Sequence, residues 1–273
     1  MAGGLAQLPS HVCDFQVVIS NVPSTFEGSN LPVCDLEHII EWDVRTWSHC
    51  LDFWAPVLHG LNPGLTRVLT VGERNGGLSL WFALQGFQVT CSDHGGPTAQ
   101  ARVLHENYGV TNRITYADVN IFASPYPDSS FEIVACKSVI GGLKLNPRDR
   151  STRTFDNQTL AVAEIHRVLK SGGFFLGAEN LMGTRLHQLT RRYSKRGRLG
   201  WRHLTTGEIC QLFAGFDRVE QQAYGFFGSH FTLFALDRLT ATMDSLLCPL
   251  LPAHWQYVSF IRARKFGPSR SDH

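Results

Sequence analysis

From Arg67 to Asn180, short apolar runs alternate with stretches of helical length, and this alternation restricts the possible folds more than any other feature of the chain. "RVLTV" (67–71) reads as a buried strand, and "GGLSLWFALQ" (76–85) as a helix stopped by Gly86. "FQVTCSD" (87–93) and "RITYAD" (113–118) read as strands flanking a helix through "PTAQARVLHENYG". A Pro- and Ser-rich loop leads to the strand "FEIVACKSV" (131–139). The helix "NQTLAVAEIHRVLKSGG" (157–173) then ends on glycines before the strand "FFLGAEN" (174–180). Strands separated by helical crossovers pair in parallel, because a right-twisted strand feeding a helix packs back onto the sheet with one hand. "FDRVEQQAYGFF" and "WQYVSFIRARK" supply two further strands, read as an antiparallel pair. The expected fold is α/β: a doubly wound, mostly parallel seven-stranded sheet with a terminal antiparallel strand.

Three regions follow from this reading. Residues 1–59 form a Gly/Pro/Ser-rich lead-in and a helical extension, 60–265 the Rossmann-like domain, and 266–273 a tail. The extension, "DLEHIIEWDVRTWSHCLDFWAPVL" (35–58), places Leu36, Ile39, Ile40, Trp47, Leu51 and Trp54 at mostly helical spacing. With 43% hydrophobic and 18% charged residues, the chain belongs with ordered globular proteins rather than disordered ones. Its seven cysteines include no CxxC pair, so no metal site is expected, and reduced thiols in a cytoplasmic setting are the simplest reading. The first residues lack the basic and apolar regions of a signal peptide. "FTLFALDRLTATMDSLLCPLL" carries Asp237, Arg238 and Asp244, which argues against a membrane-spanning helix and leaves peripheral membrane contact open.

The turn "VGERNGG" (71–77) joins a strand to a helix, an arrangement that points backbone N–H groups and the helix's positive end at a ligand. A lone glycine corner is as often structural. Here the next strand ends at Asp93, seventeen residues after Gly76, where an acid can bond ribose hydroxyls, and the third ends at Asp118 beside the same crevice.

"VLTVGERNGG", "VTCSD", "YADV" and above all "EIHRVLKSGGFFLGAEN" resemble the class I S-adenosylmethionine-dependent methyltransferases, over roughly residues 60–265. The terminal antiparallel hairpin also fits that family. "EWDVRTWSHCLDFW", "GGLSLW" and "KSVIGG" resemble a bacterial subset often found with surface-polysaccharide synthesis. The resemblance implies S-adenosyl-L-methionine as cofactor. It places Gly72 and Gly76 against the methionine part, Asp93 on the ribose with His94 beside it, and Asp118 on the adenine amino group with Val119 against the ring. Lys137 faces the cofactor or the acceptor. The chain departs from the family at Thr70, where an acid is usual, and at Arg74, where glycine is common; Glu73 is the substitute contact for the cofactor's ammonium.

A methyl transfer to a hydroxyl needs alignment and a base. Lys137, Glu179 and His187 lie near the expected rim, with His203 beyond; the base stays unassigned. Residues 181–206 contain no acid but seven basic residues, among them Arg185, Arg191 and Arg202. This suits a polar, anionic acceptor such as a sugar or glycan, with a solvated helix face as the competing explanation. The net charge of +2 and the lack of an RNA module disfavour nucleic acid. Trp42, Trp47 and Trp54 serve either as a lid or as packing, with packing favoured and Trp42 the best lid. The leading expectation is an O-methyltransferase. A catalytically degenerate binding or regulatory partner is the alternative, with an RNA methyltransferase or a nicotinamide-dependent oxidoreductase as lesser ones.

Overall fold

The computed structural model describes residues 33–143, 155–193, 201–227 and 237–267. Seven strands form one sheet: β1 (Arg67–Val71), β2 (Gln88–Asp93), β3 (Ile114–Asp118), β4 (Phe131–Lys137), β5 (Leu169–Asn180), β6 (Arg218–Tyr224) and β7 (Val258–Arg264). Their order is β3-β2-β1-β4-β5-β7-β6. Strands β1 to β5 are parallel, and β7 is antiparallel to both of its neighbours. This is the doubly wound, mostly parallel seven-stranded architecture expected from the alternation, with its antiparallel strand near one edge. Around the sheet lie α1 (Val33–Ile40), α2 (Val44–Trp47), α3 (His49–Leu58), α4 (Gly77–Leu84), α5 (Ala99–Asn107), α6 (Phe155–Val168), α7 (Arg185–Tyr193), α8 (Thr206–Leu212) and α9 (Asp237–Leu247).

The central strands are apolar on both faces because each face is covered. Val68, Ile133, Ala135, Val258 and Phe260 belong to one core with α1, α3 and α4. Leu69, Val71, Val134, Cys136 and Ile261 belong to the other, with α6 and α8. Trp47 and Trp54 are 2% and 0% exposed, and the Trp54 indole donates to the Ile261 carbonyl (3.2 Å). Both are packing residues.

Two expectations about local structure are corrected. The extension over 35–58 is three helices rather than one, because Glu41 (φ 70°) and Asp43 (φ 45°) adopt left-handed backbone that an α-helix cannot carry. Asp43 is held there by the Tyr257 hydroxyl, which donates to its Oδ2 (2.6 Å). The second correction is at "LKSGG". The strand begins at Leu169, which pairs with Phe131, and the glycines lie inside β5 where the register shifts. Lys265 Nζ donates to the Leu169 and His166 carbonyls and holds this start in place. No helix among the described residues is long and apolar enough to cross a membrane; residues 231–236 of the amphipathic stretch lie outside them.

Candidate functional site

The glycine turn sits at the carboxyl end of β1, at the centre of the sheet. Gly72 (φ 70°) and Gly76 (φ 81°) both hold backbone that side-chain-bearing residues avoid. Each also has protein where a Cβ would stand. At Gly72 it would strike Val139 Cγ2, and at Gly76 it would lie 2.6 Å from His105 Cε1. His105 is fixed there by Tyr116 Oη (2.9 Å) and the Gly76 carbonyl (2.9 Å). Gly77 opens α4, and a Cβ on it would lie 2.9 Å from the His38 carbonyl oxygen and closer still to that of Ile39. The turn is therefore clamped from above by α1, a contact between residues distant in sequence.

The two acids converge on the same rim. Asp93 and Asp118 are register partners at the ends of β2 and β3. Asp93 Oδ1 accepts from His94 N (2.7 Å), Asp118 Oδ1 accepts from Gly95 N (2.7 Å), and Val119 N donates to the Asp93 carbonyl (3.1 Å). These bonds fold the 93–96 turn around both carboxylates. Asp93 is half-buried, and that burial raises its pKa against the opposing His94 N–H bond. Asp118 and His94 are exposed, while Val119 is 2% exposed. Two carboxylates and a buried aliphatic side chain at adjacent strand ends suit a ligand with vicinal hydroxyls joined to a flat ring.

Beyond the turn, a buried charge cluster occupies the middle of the rim. Glu73 is 5% exposed, and its Oε2 accepts from Ser79 N (3.0 Å) at the positive end of α4. Burial raises its pKa to about 7, although the Ser79 bond and nearby Lys137 pull the other way. Thr70, fully buried, bonds through Oγ1 to Ser79 Oγ (2.6 Å). Lys137 is 7% exposed and turns toward the extension: its Nζ donates to the Ile40 carbonyl (2.7 Å) and lies 3.2 Å from the centroid of the Trp42 ring. Burial lowers its pKa to about 8 against the attraction of Glu73 and Glu41. Trp42, partly buried, thus covers the end of β4. The Ile40 carbonyl and Ser79 were not among the residues singled out from sequence. The first is a backbone group, and no side-chain pattern could have found it.

Glu179 and His187, the other two candidates for a base, are both 0% exposed. Glu179 Oε1 accepts from Val139 N (2.8 Å) and Ile140 N (2.7 Å), and Oε2 from Gly141 N (3.3 Å). It anchors the turn after β4, where Ser138 is held at φ 55°. Burial moves its pKa to about 7 against those three bonds. His187 Nδ1 accepts from Thr184 N (3.1 Å), which leaves Nε2–H to donate to the Phe226 carbonyl (3.0 Å). Both geometries orient loops. Of the basic stretch, Arg185 is exposed, Arg191 donates to the Leu181 and Met182 carbonyls, and Arg202 pairs with Glu208. Lys195, Arg196 and Arg198 lie outside the described residues, as do the side chain of Arg192 and all of 194–200. His203 is driven down to about 3 by burial, aided by Arg191.

Residues 69–177, from β1 into β5, match the model of a family described as a methyltransferase domain. No curated protein sequence matches the chain. Among solved structures, the chain resembles the [4+2]-cyclase SpnF (18% identity, TM-score 0.54, covering 82% of this chain and 84% of that one). It also resembles phosphoethanolamine N-methyltransferase 2 of Haemonchus contortus in complex with S-adenosyl-L-methionine (20%, 0.56, 81% of this chain and 53% of that one). The chain thus spans about half the length of that enzyme. A third is the geranyl diphosphate C-methyltransferase of Streptomyces coelicolor, solved with S-adenosyl-L-homocysteine (10%, 0.55, 80% and 79%). At these identities the fold is what is shared.

Proposed function

We propose that the chain binds S-adenosyl-L-methionine on the rim formed by β1, β2 and β3 and transfers its methyl group to a hydroxyl of a polar, anionic acceptor. The observation that carries this reading is the convergence of Asp93 and Asp118, register partners, on the turn that begins at Gly72. The methyltransferase-domain match over the same strands supports it.

The nucleoside end of the cofactor fits the residues present. Asp93 takes the ribose hydroxyls through the oxygen not bonded to His94, Asp118 takes the adenine amino group, and Val119 forms an apolar wall for the ring. At the other end, Glu73 replaces the acid absent at Thr70 as the carboxyl near the cofactor's ammonium, a cation that would favour the ionised form of a group raised to about 7 by burial. The cofactor supplies an activated methyl group when bound. The chain's part is to hold the acceptor in line, exclude water and receive the hydroxyl proton. Glu179 positions the 139–141 turn in that scheme. Lys137, at the end of β4 beside the Trp42 ring and with its pKa lowered to about 8, is the candidate for proton transfer. Arg185 and its basic neighbours favour an acceptor bearing phosphate or carboxylate, of the kind found in surface polysaccharides.

A second reading, a cofactor-binding partner without methyl transfer, draws on two observations. Lys137 already lies against an aromatic face and a carbonyl where a cation is to bind, and a [4+2]-cyclase shares the fold. Thermal melting with S-adenosylhomocysteine or NAD separates cofactor classes, since a ligand of the folded state raises Tm by mass action. A rise with S-adenosylhomocysteine alone, abolished in Asp93→Ala, is expected; an unchanged response in that variant refutes the site. Labelled-methyl transfer to phosphorylated and uncharged glycan acceptors then separates enzyme from binder.

A further inference from the structure

A groove opens at the end of the sheet opposite the rim, where Arg264 of β7 pairs with Phe174 of β5. Asn180, at the rim, is six residues further along β5, so the groove lies about 20 Å along the strand from that rim. It encloses about 320 Å³ between the end of α3 and the antiparallel pair β6 and β7. Leu61 and Phe174 give it an apolar wall, and Arg218, Glu220, Arg262 and Arg264 give it a charged one.

The charges do not balance. Arg218 stands directly opposite Arg264, and Glu220 opposite Arg262, and the two-residue period puts all four side chains on one face. Like charges directly opposite one another destabilise a hairpin. Glu220 is shared between Arg218 Nε (2.8 Å) and the Arg262 guanidinium. Arg264 has no ion pair among the described residues, and its guanidinium lies 5.9 Å from the centroid of Phe174. The Nε–H of Arg262 is buried with no acceptor among the described residues. Three guanidiniums thus face one carboxylate, a donor is unsatisfied, and an open volume with a ring on its wall adjoins them. Guanidinium forks match the oxygens of phosphate and carboxylate.

We propose that this groove is a binding site for a small oxyanion carrying an apolar ring, with phosphate or carboxylate between Arg218 and Arg264 and the ring on Leu61 and Phe174. The site is independent of methyl transfer. Calorimetric titration of the full chain with phenyl phosphate, benzoate, inorganic phosphate and phenol tests it. Saturable binding of phenyl phosphate or benzoate is expected, with a Kd on the order of 1 mM, and their ratio identifies the preferred head group. Phenol and inorganic phosphate should bind at least about tenfold more weakly, because each lacks one half of the match. The double variant Arg218→Gln/Arg264→Gln should lose binding about tenfold or more while its ligand-free Tm stays level or rises, since a like-charge pair is removed. Arg185→Gln, on the opposite rim, removes whatever anion binds the proposed acceptor site and should leave the groove's own saturable binding in place. No saturation by either ringed anion overturns the proposal. So does binding lost in Arg185→Gln, or a lower ligand-free Tm in the double variant, which would make the arginines structural.

Discussion

Replacing Gly77 by alanine tests whether α1 clamps the glycine turn. The added Cβ would stand 2.9 Å from the His38 carbonyl oxygen and nearer to that of Ile39, with backbone rather than a rotatable side chain in its way. Releasing α1 altogether would expose Leu36, Ile39 and Ile40, each 7% exposed or less, at a cost of about 1.5–3 kcal/mol per side chain. A shift of α1 by a fraction of an ångström is cheaper, and overpacking of that kind costs about 1–3 kcal/mol. Alanine in place of a helical glycine returns about 0.5–1 kcal/mol. The net loss is therefore about 1 kcal/mol, or roughly 2–4 °C in Tm for a domain of this size. Thermal melting reads the total, and hydrogen exchange over residues 36–47 reads the local loosening, which also weakens the Lys137 bond to Ile40. Gly207→Ala in α8, with nothing among the described residues within 4 Å of the new Cβ, is the control and should be neutral or slightly stabilising. If Gly77→Ala melts with the parent protein and its exchange is unaltered, α1 does not rest on the turn.

Three further outcomes follow from the buried charges. Glu73 has its pKa raised from 4.5 to about 7, so the folded chain holds a proton that the unfolded chain releases, and this contribution to stability is lost as pH rises from 4.5 to 7. Denaturation of Glu73→Gln beside the parent should show the variant gaining up to about 3 kcal/mol across that window; a flat difference refutes the assignment. Lys137, lowered from 10.5 to about 8, acts in the opposite sense: the parent should gain on Lys137→Met between pH 8 and 10.5, and no narrowing of the gap counts against a buried ammonium. Glu179→Ala strands three backbone N–H groups and should lose about 3 kcal/mol or more in urea unfolding, whereas Glu179→Gln, which keeps an acceptor oxygen, should lose less.

The alternation of apolar runs and helical stretches was enough to determine the sheet, its parallel strands and its antiparallel end. Burial on both faces imposes continuous hydrophobicity on β1 and β4, and crossover geometry leaves few ways to connect them. Asp93 and Asp118 were legible for the same reason, because a strand's end fixes where its last side chain goes. What the string could not convey was contact across the chain. The fracture of the extension at Glu41 and Asp43 depends on Tyr257, more than 200 residues away, and the confinement of Lys137 depends on the Ile40 carbonyl and the Trp42 ring. Glycines that suggest open backbone in sequence turn out to face Val139, His105 and α1. Local periodicity encodes which face of an element is buried; which distant group fills the space opposite is decided only when the elements pack together.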